Sequence, residues 1–188
     1  MTTELHPLGF FLPENTRLLM LGSFPPPRAR WSMDFYYPNI QNDMWRILGL
    51  IFYGNKDAFL RDKKAFSEEK AKAFCREKGI GIGDTAMEVI RLKANASDKF
   101  LEVVRPIDPE KVLSQIPECV AIVVTGQKAM DTLLSVLPGT EEPKVGFSSE
   151  FSCMGRLFRM PSSSRAYPRP LEEKAAVYRG MFETLGMV

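Results

Sequence analysis

The sequence holds little raw material for metal or thiol chemistry. Its 188 residues include one histidine, His6, and three cysteines that form no CxxC pair: Cys75, Cys119 and Cys153. A zinc site, a disulfide framework or a Ser-His-Asp triad needs more than this. A four-cysteine iron–sulfur cluster is impossible within one such chain. We therefore expect no metal and no cofactor, and we interpret His6 as an exposed residue of the N-terminal tail.

Long apolar runs and targeting signals are also missing. No stretch of 18 apolar residues is present, so the sequence predicts no membrane span. Residues 1–7 lack a basic region followed by an apolar one, which favours the cytoplasm over secretion. The net charge of +2 neither demands nor excludes a nucleic-acid partner. The length and the 45% hydrophobic content suit one domain over residues 1–188, which we expect to be a monomer.

Short apolar runs alternate with helical patterns along the chain. The strand-like runs are residues 17–21, 120–124 and 157–160. Five helices are predicted: over residues 42–52, over 68–78, a short one that starts at Asp108-Pro109, over 127–137 and over 171–185. Asn42 is the predicted N-cap of the first helix. Ser67 is the predicted N-cap of the second, which ends at Gly79. Residues 140–149 are predicted to be a loop that leads into an edge strand. This alternation predicts an α/β fold, a three-layer α/β/α arrangement with a short, mainly parallel central sheet.

Each strand-like run leads into a loop that carries polar or small residues. These loops are Gly22-Ser23-Phe24-Pro25, Thr125-Gly126-Gln127 and Pro161-Ser162-Ser163-Ser164-Arg165. Ligands of open α/β sheets lie outside the carboxyl ends of the strands, so the three loops can converge on one crevice. Arginines near these loops could contact phosphates, although charge alone favours a solvated surface: Arg28, Arg30, Arg156, Arg159, Arg165 and Arg169.

The segment from Phe35 to Trp45 is rich in aromatic rings and side-chain amides. It reads Phe-Tyr-Tyr-Pro-Asn-Ile-Gln-Asn-Asp-Met-Trp. Aromatic faces stack on nucleobases, and amides both donate and accept hydrogen bonds. The segment therefore indicates a site that handles a base.

The order of these motifs resembles the uracil-DNA glycosylase superfamily. The similarity is closest to the branch that includes hypoxanthine-DNA glycosylases, near the mismatch-specific uracil and thymine glycosylases. Residues 22–25 are similar to the family's first motif, and residues 36–45 are similar to a tyrosine-rich segment that runs into an Asn followed three residues later by Trp. Residues 81–84 are similar to a mid-chain loop of the family. Residues 161–164 are similar to its proline-serine loop, which enters the DNA minor groove. Together the motifs span residues 17–170.

The resemblance assigns roles to particular residues. It makes Asn42 the catalytic residue, places Gly22, Ser23, Phe24, Tyr36 and Tyr37 around the base, and places Ser162, Ser163, Ser164, Arg165 and Tyr167 on the DNA. Three positions depart from the wider pattern. Phe24 stands where the mismatch-specific branch has a water-positioning asparagine, Met160 where classical uracil enzymes have a histidine, and Pro26 where a glycine is common. These departures leave open which base is preferred and whether activity is retained.

The resemblance implies a DNA glycosylase that excises a deaminated base, hypoxanthine or uracil, from double-stranded DNA in base excision repair. The N-glycosidic bond would be hydrolysed without lyase activity, because the motif loops hold no lysine to form a Schiff base. One alternative is a non-catalytic nucleic-acid or nucleotide binder on the same fold. Another is a small-molecule enzyme on a similar scaffold.

The same residues also have plain structural explanations. Asn42 is explained as a helix cap, Tyr36 and Tyr37 as wall or core residues, and Phe24 as packing or a lid. Asp84 follows Gly79, Gly81 and Gly83, which favours a turn cap, with a place near a pocket as the alternative. The three serines could form a turn, Arg165 could be solvated, and Tyr167 could pack under the last helix.

Overall fold

The core of the molecule is a five-stranded sheet, here described from a computed structural model that covers residues 2–93, 97–151 and 155–188. Four strands run parallel and the edge strand β9 is antiparallel to its neighbour. The strand order is β5-β2-β8-β10-β9, with β2 at Leu18–Gly22, β5 at Ile80–Asp84, β8 at Ala121–Thr125, β9 at Ser148–Phe151 and β10 at Gly155–Met160. The predicted loop leading into an edge strand is confirmed by β9.

Helices cover both faces of this sheet. Successive strand residues point to opposite faces, so Leu18 and Met20 of β2 pack on one side and Leu19 and Leu21 on the other. The first side carries α1 at Met44–Tyr53, α2 at Glu68–Lys78 and α5 at Leu171–Thr184, and the second carries α3 at Pro109–Leu113 and α4 at Gln127–Leu134. All residues of β2, β5 and β8 are buried, as expected of parallel strands between two helical layers. The predicted three-layer α/β/α fold is confirmed.

Two smaller pieces of sheet complete the structure. One is an antiparallel sheet of order β1-β6-β7, with β1 at Thr3–Leu5, β6 at Ala86–Arg91 and β7 at Leu101–Pro106. The other is a two-stranded ribbon of β3 at Leu60–Asp62 and β4 at Ala65–Phe66. Only Thr85 separates β5 from β6. The N-terminal strand and residues 98–106 therefore lie beside the carboxyl end of β5. No sequence pattern predicted this second sheet.

The helix caps follow local chemistry. The Ser67 hydroxyl accepts a hydrogen bond from the Lys70 backbone N–H at 3.3 Å, and Asp108 accepts one from Lys111 at 3.1 Å. Gly79 ends α2 in the left-handed conformation at φ 66°, which a residue with a side chain rarely adopts. These three caps were predicted correctly.

Three predicted boundaries were wrong. Helix α1 begins at Met44, with Asp43 and not Asn42 at the N-cap position, and α4 ends at Leu134 and not at residue 137. The segment 81–84 belongs to strand β5 and is not a loop. Its glycines make room for a crossing chain, since a Cβ at Gly83 would overlap the ring of Phe10.

The described part of the chain contains no helix long and apolar enough to cross a membrane.

Burial raises the pKa of the Cys75 thiol to about 12, and it also raises the pKa of the Cys119 thiol. Neither thiol is therefore suited to act as a nucleophile at neutral pH. Cys153 lies outside the described residues.

Candidate functional site

A pocket of about 670 Å³ opens at the carboxyl ends of the parallel strands. Gly22 closes β2, Asp84 closes β5 and Thr125 closes β8, and all three line the pocket. The loop after β10 and the segment 36–42 supply the walls. This is the position where open α/β sheets bind their ligands.

The two tyrosines of the aromatic segment have different surroundings. Tyr36 is 3% exposed, and its hydroxyl donates to the Gly9 carbonyl at 3.1 Å, so most of this ring belongs to the core. Tyr37 is partly exposed, and its hydroxyl lies within hydrogen-bond distance of the Thr125 hydroxyl, at 3.3 Å. Burial, followed by the nearby Asp84 charge, raises the pKa of both phenols above the ordinary value. Both are therefore neutral at physiological pH.

Tyr37 adopts a backbone conformation that is rare for a residue with a side chain. Its φ is 52°, and it is the one non-glycine residue with positive φ in the described part of the chain. Such conformations cost about 1–3 kcal/mol and cluster at functional sites. The strain fixes the direction in which the Tyr37 ring leaves the backbone, which places it in the pocket wall.

Asn42 lines the pocket and also supports the start of α1. Its side-chain oxygen accepts a hydrogen bond from the Met44 backbone N–H at 2.9 Å. Its backbone forms an isolated bridge with Ser164 of the loop after β10. Asn42 is thus not the N-cap residue, but its side chain binds the first helical N–H and it also lines the pocket. Because a backbone N–H occupies the oxygen, the amide NH₂ is the group left to face a ligand.

The loop after β2 sits between the pocket and the second sheet. Phe24 is 7% exposed and packs against Ala86, Val89 and Leu101, which supports the packing explanation for this residue. The Ser23 hydroxyl is hydrogen-bonded to the Asp98 carboxyl. Gly22 lies so close to Asp84 that a side chain there would displace the carboxylate.

His6 is not an exposed tail residue, and that expectation was wrong. Its side chain is 4% exposed, and Nε2 lies 2.7 Å from Oδ2 of Asp84. The cause is the pairing of β1 with β6, which continues in a hydrogen bond from the His6 backbone to Met87 at 2.9 Å. The same contact corrects the reading of Asp84 as a turn cap, since its carboxylate lies at the end of β5 and lines the pocket.

Asp98 is a second carboxyl at the pocket that the sequence did not single out. Burial raises its pKa, and the Asp84 charge raises it further, while the bond from Ser23 lowers it. Lys99, the next residue, also lines the pocket, although it lies outside the motif loops. Both residues come from the segment just before β7, whose sequence is hard to interpret.

The loop after β10 forms the rim of the pocket over residues 162–168. Ser163 is 3% exposed, and its carbonyl accepts a bond from the Asp43 backbone at 2.8 Å, so it serves the loop's structure. Ser162 and Ser164 are partly exposed, and their hydroxyls accept bonds from backbone N–H groups two residues further on, which confirms a turn. Tyr167 lines the pocket and also lies 6.0 Å from the Lys174 ammonium of α5.

A buried ion pair joins this rim to α1. Lys174 is fully buried; its ammonium lies 3.3 Å from Asp43 Oδ2 and donates to the Ser164 carbonyl at 2.8 Å. Arg165 approaches the other Asp43 oxygen at 3.3 Å, with its side chain 52% exposed. The loop of residues 162–168 after β10 is called the serine loop below. Asn42, next to Asp43, is therefore fixed in position relative to this loop.

Of the other sequence candidates, Arg28, Arg159 and Met160 are engaged elsewhere, whereas Arg30 belongs to the pocket. Arg28 pairs with Asp34, and Arg159 pairs with Glu142, while Arg30 is exposed and lines the pocket. Met160 is 1% exposed and belongs to the core. Among residues 2–93, 97–151 and 155–188, no three His, Cys, Asp or Glu side chains cluster as metal ligands do.

Comparison with known proteins gives a fold and no family. No protein-family model matches the sequence, and no curated protein matches it. Among solved structures, the chain is similar to the solution NMR structure of a protein from Methanosarcina acetivorans that is provisionally described as a uracil DNA glycosylase. The TM-score is 0.67 and the identity 23%, over 95% of this chain and 96% of that one. At this identity the likeness establishes the shared fold.

Proposed function

We propose that this protein is a member of the uracil-DNA glycosylase superfamily that excises a deaminated base, hypoxanthine or uracil, from double-stranded DNA. The observation that carries the proposal is the meeting of Asn42, Tyr37 and the loop 22–24 in one pocket at the carboxyl edge of the sheet, with the serine loop at its rim. The likeness to the archaeal protein supports the same conclusion. A single domain, a monomeric state and a cytoplasmic location stay predictions.

Hydrolysis of an N-glycosidic bond makes two demands on a site. The departing base gathers negative charge, and the sugar becomes cation-like. Preorganised donors aimed at the base oxygen meet the first demand. Carboxylates near the sugar meet the second by charge attraction. The pocket offers an amide at Asn42 and a carboxylate at Asp84.

Asn42 is the donor in this mechanism. Its oxygen is held by Met44, so its NH₂ is directed elsewhere and can donate to a carbonyl oxygen of the leaving base. Both uracil and hypoxanthine carry such an oxygen, whereas adenine carries an amino group at the equivalent place. Losing one oriented donor of this type costs on the order of 10²–10³ in rate.

Tyr37 supplies the wall on which the base stacks. A base in the duplex must leave its stack before its glycosidic bond can be reached. The strained backbone at Tyr37 and the contact of its hydroxyl with Thr125 hold the ring in place before a base arrives. Base–aromatic stacking is worth about 1–3 kcal/mol, which offsets part of the cost of unstacking.

The exposed polar groups of the rim support DNA contacts by the serine loop. Ser162 and Ser164 present partly exposed hydroxyls, and Arg165 is half exposed, so these groups can contact phosphates. Tyr167 at the same rim is long enough to occupy the gap left by a flipped base. We infer monofunctional chemistry, since the motif loops hold no lysine.

The test uses end-labelled duplexes that contain one uracil or one hypoxanthine. Incubation with the protein followed by alkali should break the strand at the lesion, and omission of alkali should leave it intact. Asn42→Ala should lower the single-turnover rate by about 10²–10³ while duplex binding persists. Strand breakage without alkali would contradict the monofunctional assignment. Binding of the duplexes without any breakage would favour the non-catalytic binder.

A further inference from the structure

Asp98 is a carboxyl at the pocket to which the mechanism above assigns no role. It is partly buried, lines the pocket and lies in the short turn just before β7. The Ser23 hydroxyl is hydrogen-bonded to it, and its charge raises the pKa of the Tyr37 phenol. Asp98 therefore lies close both to the loop 22–24 and to the ring on which a base would stack.

The neighbours of Asp98 act on its proton in opposite directions. Burial raises the pKa of this carboxyl, and the charge of Asp84 at the end of β5 raises it further. The hydrogen bond from Ser23 lowers it, as do Lys128 of α4 and Arg91 of β6. Burial and like charge favour the neutral acid, whereas a donor and two cations stabilise the carboxylate. The group is thus suited both to hold a proton and to release it.

A purine and a pyrimidine differ in whether they can take up a proton as they leave. Hypoxanthine, attached through N9, keeps free lone pairs on its ring nitrogens N3 and N7. Uracil, attached through N1, has no such lone pair because its N3 carries a hydrogen, so it leaves as an anion that hydrogen-bond donors stabilise. A general acid therefore assists the departure of hypoxanthine much more than that of uracil.

We propose that Asp98 is the general acid for purine departure and that it gives its proton to N3 or N7 of hypoxanthine. The proposal rests on the glycosylase function and names the residue that extends it to deaminated purines. As the C1′–N9 bond breaks, its electron pair moves into the base and the ring nitrogen takes the proton, so hypoxanthine leaves neutral. The Ser23 hydroxyl stabilises the carboxylate that remains. Water adds to C1′, and the proton that it loses restores the carboxyl.

The first test is Asp98→Asn, which keeps the size of the side chain and leaves no acidic proton. Single-turnover excision of hypoxanthine should fall by about 10²-fold or more, and excision of uracil by less than about threefold. Each base is placed opposite the same abasic analogue, so that pairing strength does not differ. Asp57→Asn makes the same change at a carboxylate that is 45% exposed and paired with Lys56, and it should alter neither rate.

The pH dependence has a fixed sign, because a general acid must be protonated to act. Hypoxanthine excision should be constant below the raised pKa of Asp98 and should fall as the pH rises through it. The fall should be absent for hypoxanthine in Asp98→Asn and absent for uracil in the wild type. Uracil meets the same pair of Asp84 and His6, whose side chains lie 2.7 Å apart. An equal fall for both bases would assign the titration to that pair and refute the proposal.

Lys128 provides a way to move this fall from outside the pocket. It belongs to α4 and is not one of the residues that line the pocket, but its charge lowers the pKa of Asp98. Lys128→Met should therefore shift the fall in hypoxanthine excision to higher pH and leave the rate at low pH unchanged. Lys144→Met, at an exposed position, should leave the fall in place. A purely structural role for Asp98 would predict no shift in either variant.

Two purine analogues identify the nitrogen that takes the proton. In 3-deazahypoxanthine and 7-deazahypoxanthine a C–H replaces N3 and N7, respectively. Removing the accepting nitrogen should abolish the fall with pH in the wild type, and it should cost little further rate in Asp98→Asn because both changes remove the same interaction. The wild type alone decides if Asp98→Asn does not fold. Loss of the fall with at least one analogue supports the proposal, and a fall kept with both refutes it.

The proposed function and the role of Asp98 fail in different ways. A wild-type protein that excises neither uracil nor hypoxanthine would refute glycosylase activity. One that excises uracil alone would leave that activity intact and refute a general acid for purines. A folded Asp98→Asn protein that excises hypoxanthine at the wild-type rate, or that loses excision of both bases equally, would also overturn the role of Asp98 and leave the glycosylase function standing.

Discussion

Lys174 offers the sharpest test of how the site is held together. Its ammonium is fully buried between Asp43, which precedes α1, and the Ser164 carbonyl of the serine loop. Replacing it by methionine keeps a long unbranched side chain of similar bulk and removes only the charge and the donors. Lys174→Met therefore isolates the electrostatic contribution from packing.

The structure sets the size of the effect. At 3.3 Å the Lys174–Asp43 attraction is about 5 kcal/mol with an effective dielectric constant of about 20. In the variant Asp43 stays buried and keeps its ion pair with Arg165, whose side chain is 52% exposed and screened by water, and the nearby charge of Arg46. The Ser164 carbonyl also loses its donor. Removing one member of a buried pair typically costs about 3–5 kcal/mol, so we expect a loss in that range.

Denaturant unfolding followed by circular dichroism measures this loss directly. For a chain of this length it corresponds to a fall in Tm of roughly 6–20 °C. The matched control is Lys56→Met, which breaks an exposed pair with Asp57 and should change the free energy of unfolding by at most about 1 kcal/mol. Equal stabilities of the two variants would refute the view that this buried pair joins α1 to the serine loop.

Two further predictions concern the charges around the pocket. Burial raises the pKa of Asp98, whose charged and polar neighbours are Ser23, Asp84, Lys128 and Arg91. Between the ordinary pKa and the raised pKa, the folded state therefore retains a proton that the unfolded state has lost. The contribution of this carboxyl to stability is complete below the ordinary pKa and is lost as the pH rises through the raised pKa of the folded state. Asp98→Asn should therefore gain in Tm relative to wild type as pH rises from about 4 to 7, and a constant difference would contradict this. Arg165→Ala should weaken duplex binding and reduce the slope of log affinity against log salt by about 1, whereas Tyr167→Ala should weaken binding at unchanged slope. No change in affinity, slope or excision in either folded variant would remove the serine loop from the DNA interface.

The parts of the fold that depend on local patterns were predictable. The apolar run 121–124 and the capping residues Ser67 and Asp108 carry their signal within a few positions of sequence. The convergence of the three loops followed from the general geometry of parallel sheets. The pocket lining confirms that Asn42, Tyr37 and the loop 22–24 meet.

The parts that depend on distant contacts were not predictable. His6 and Asp84 are separated by 78 positions, and their contact exists only because β1 pairs with β6. A single histidine near the start of a chain gives no local sign of such a partner. Gly81 and Gly83 look like a flexible loop until Phe10 is seen to cover them. Asp98 likewise gains its role from the hydrogen bond with Ser23.

Charge is distributed unevenly over the pocket, with cations at its rim and a carboxylate at its floor. Cationic side chains, Arg30, Lys99 and Arg165, lie at the rim, where the phosphates of a DNA strand would run. The buried carboxylate of Asp84 lies at the end of β5, so a polyanion is attracted to the rim and repelled from the floor. A neutral base that has left the helix pays no such penalty. Under the proposed glycosylase function, this arrangement would admit the base and hold the backbone at the rim, with the sugar between the cations of the rim and the carboxylate of Asp84.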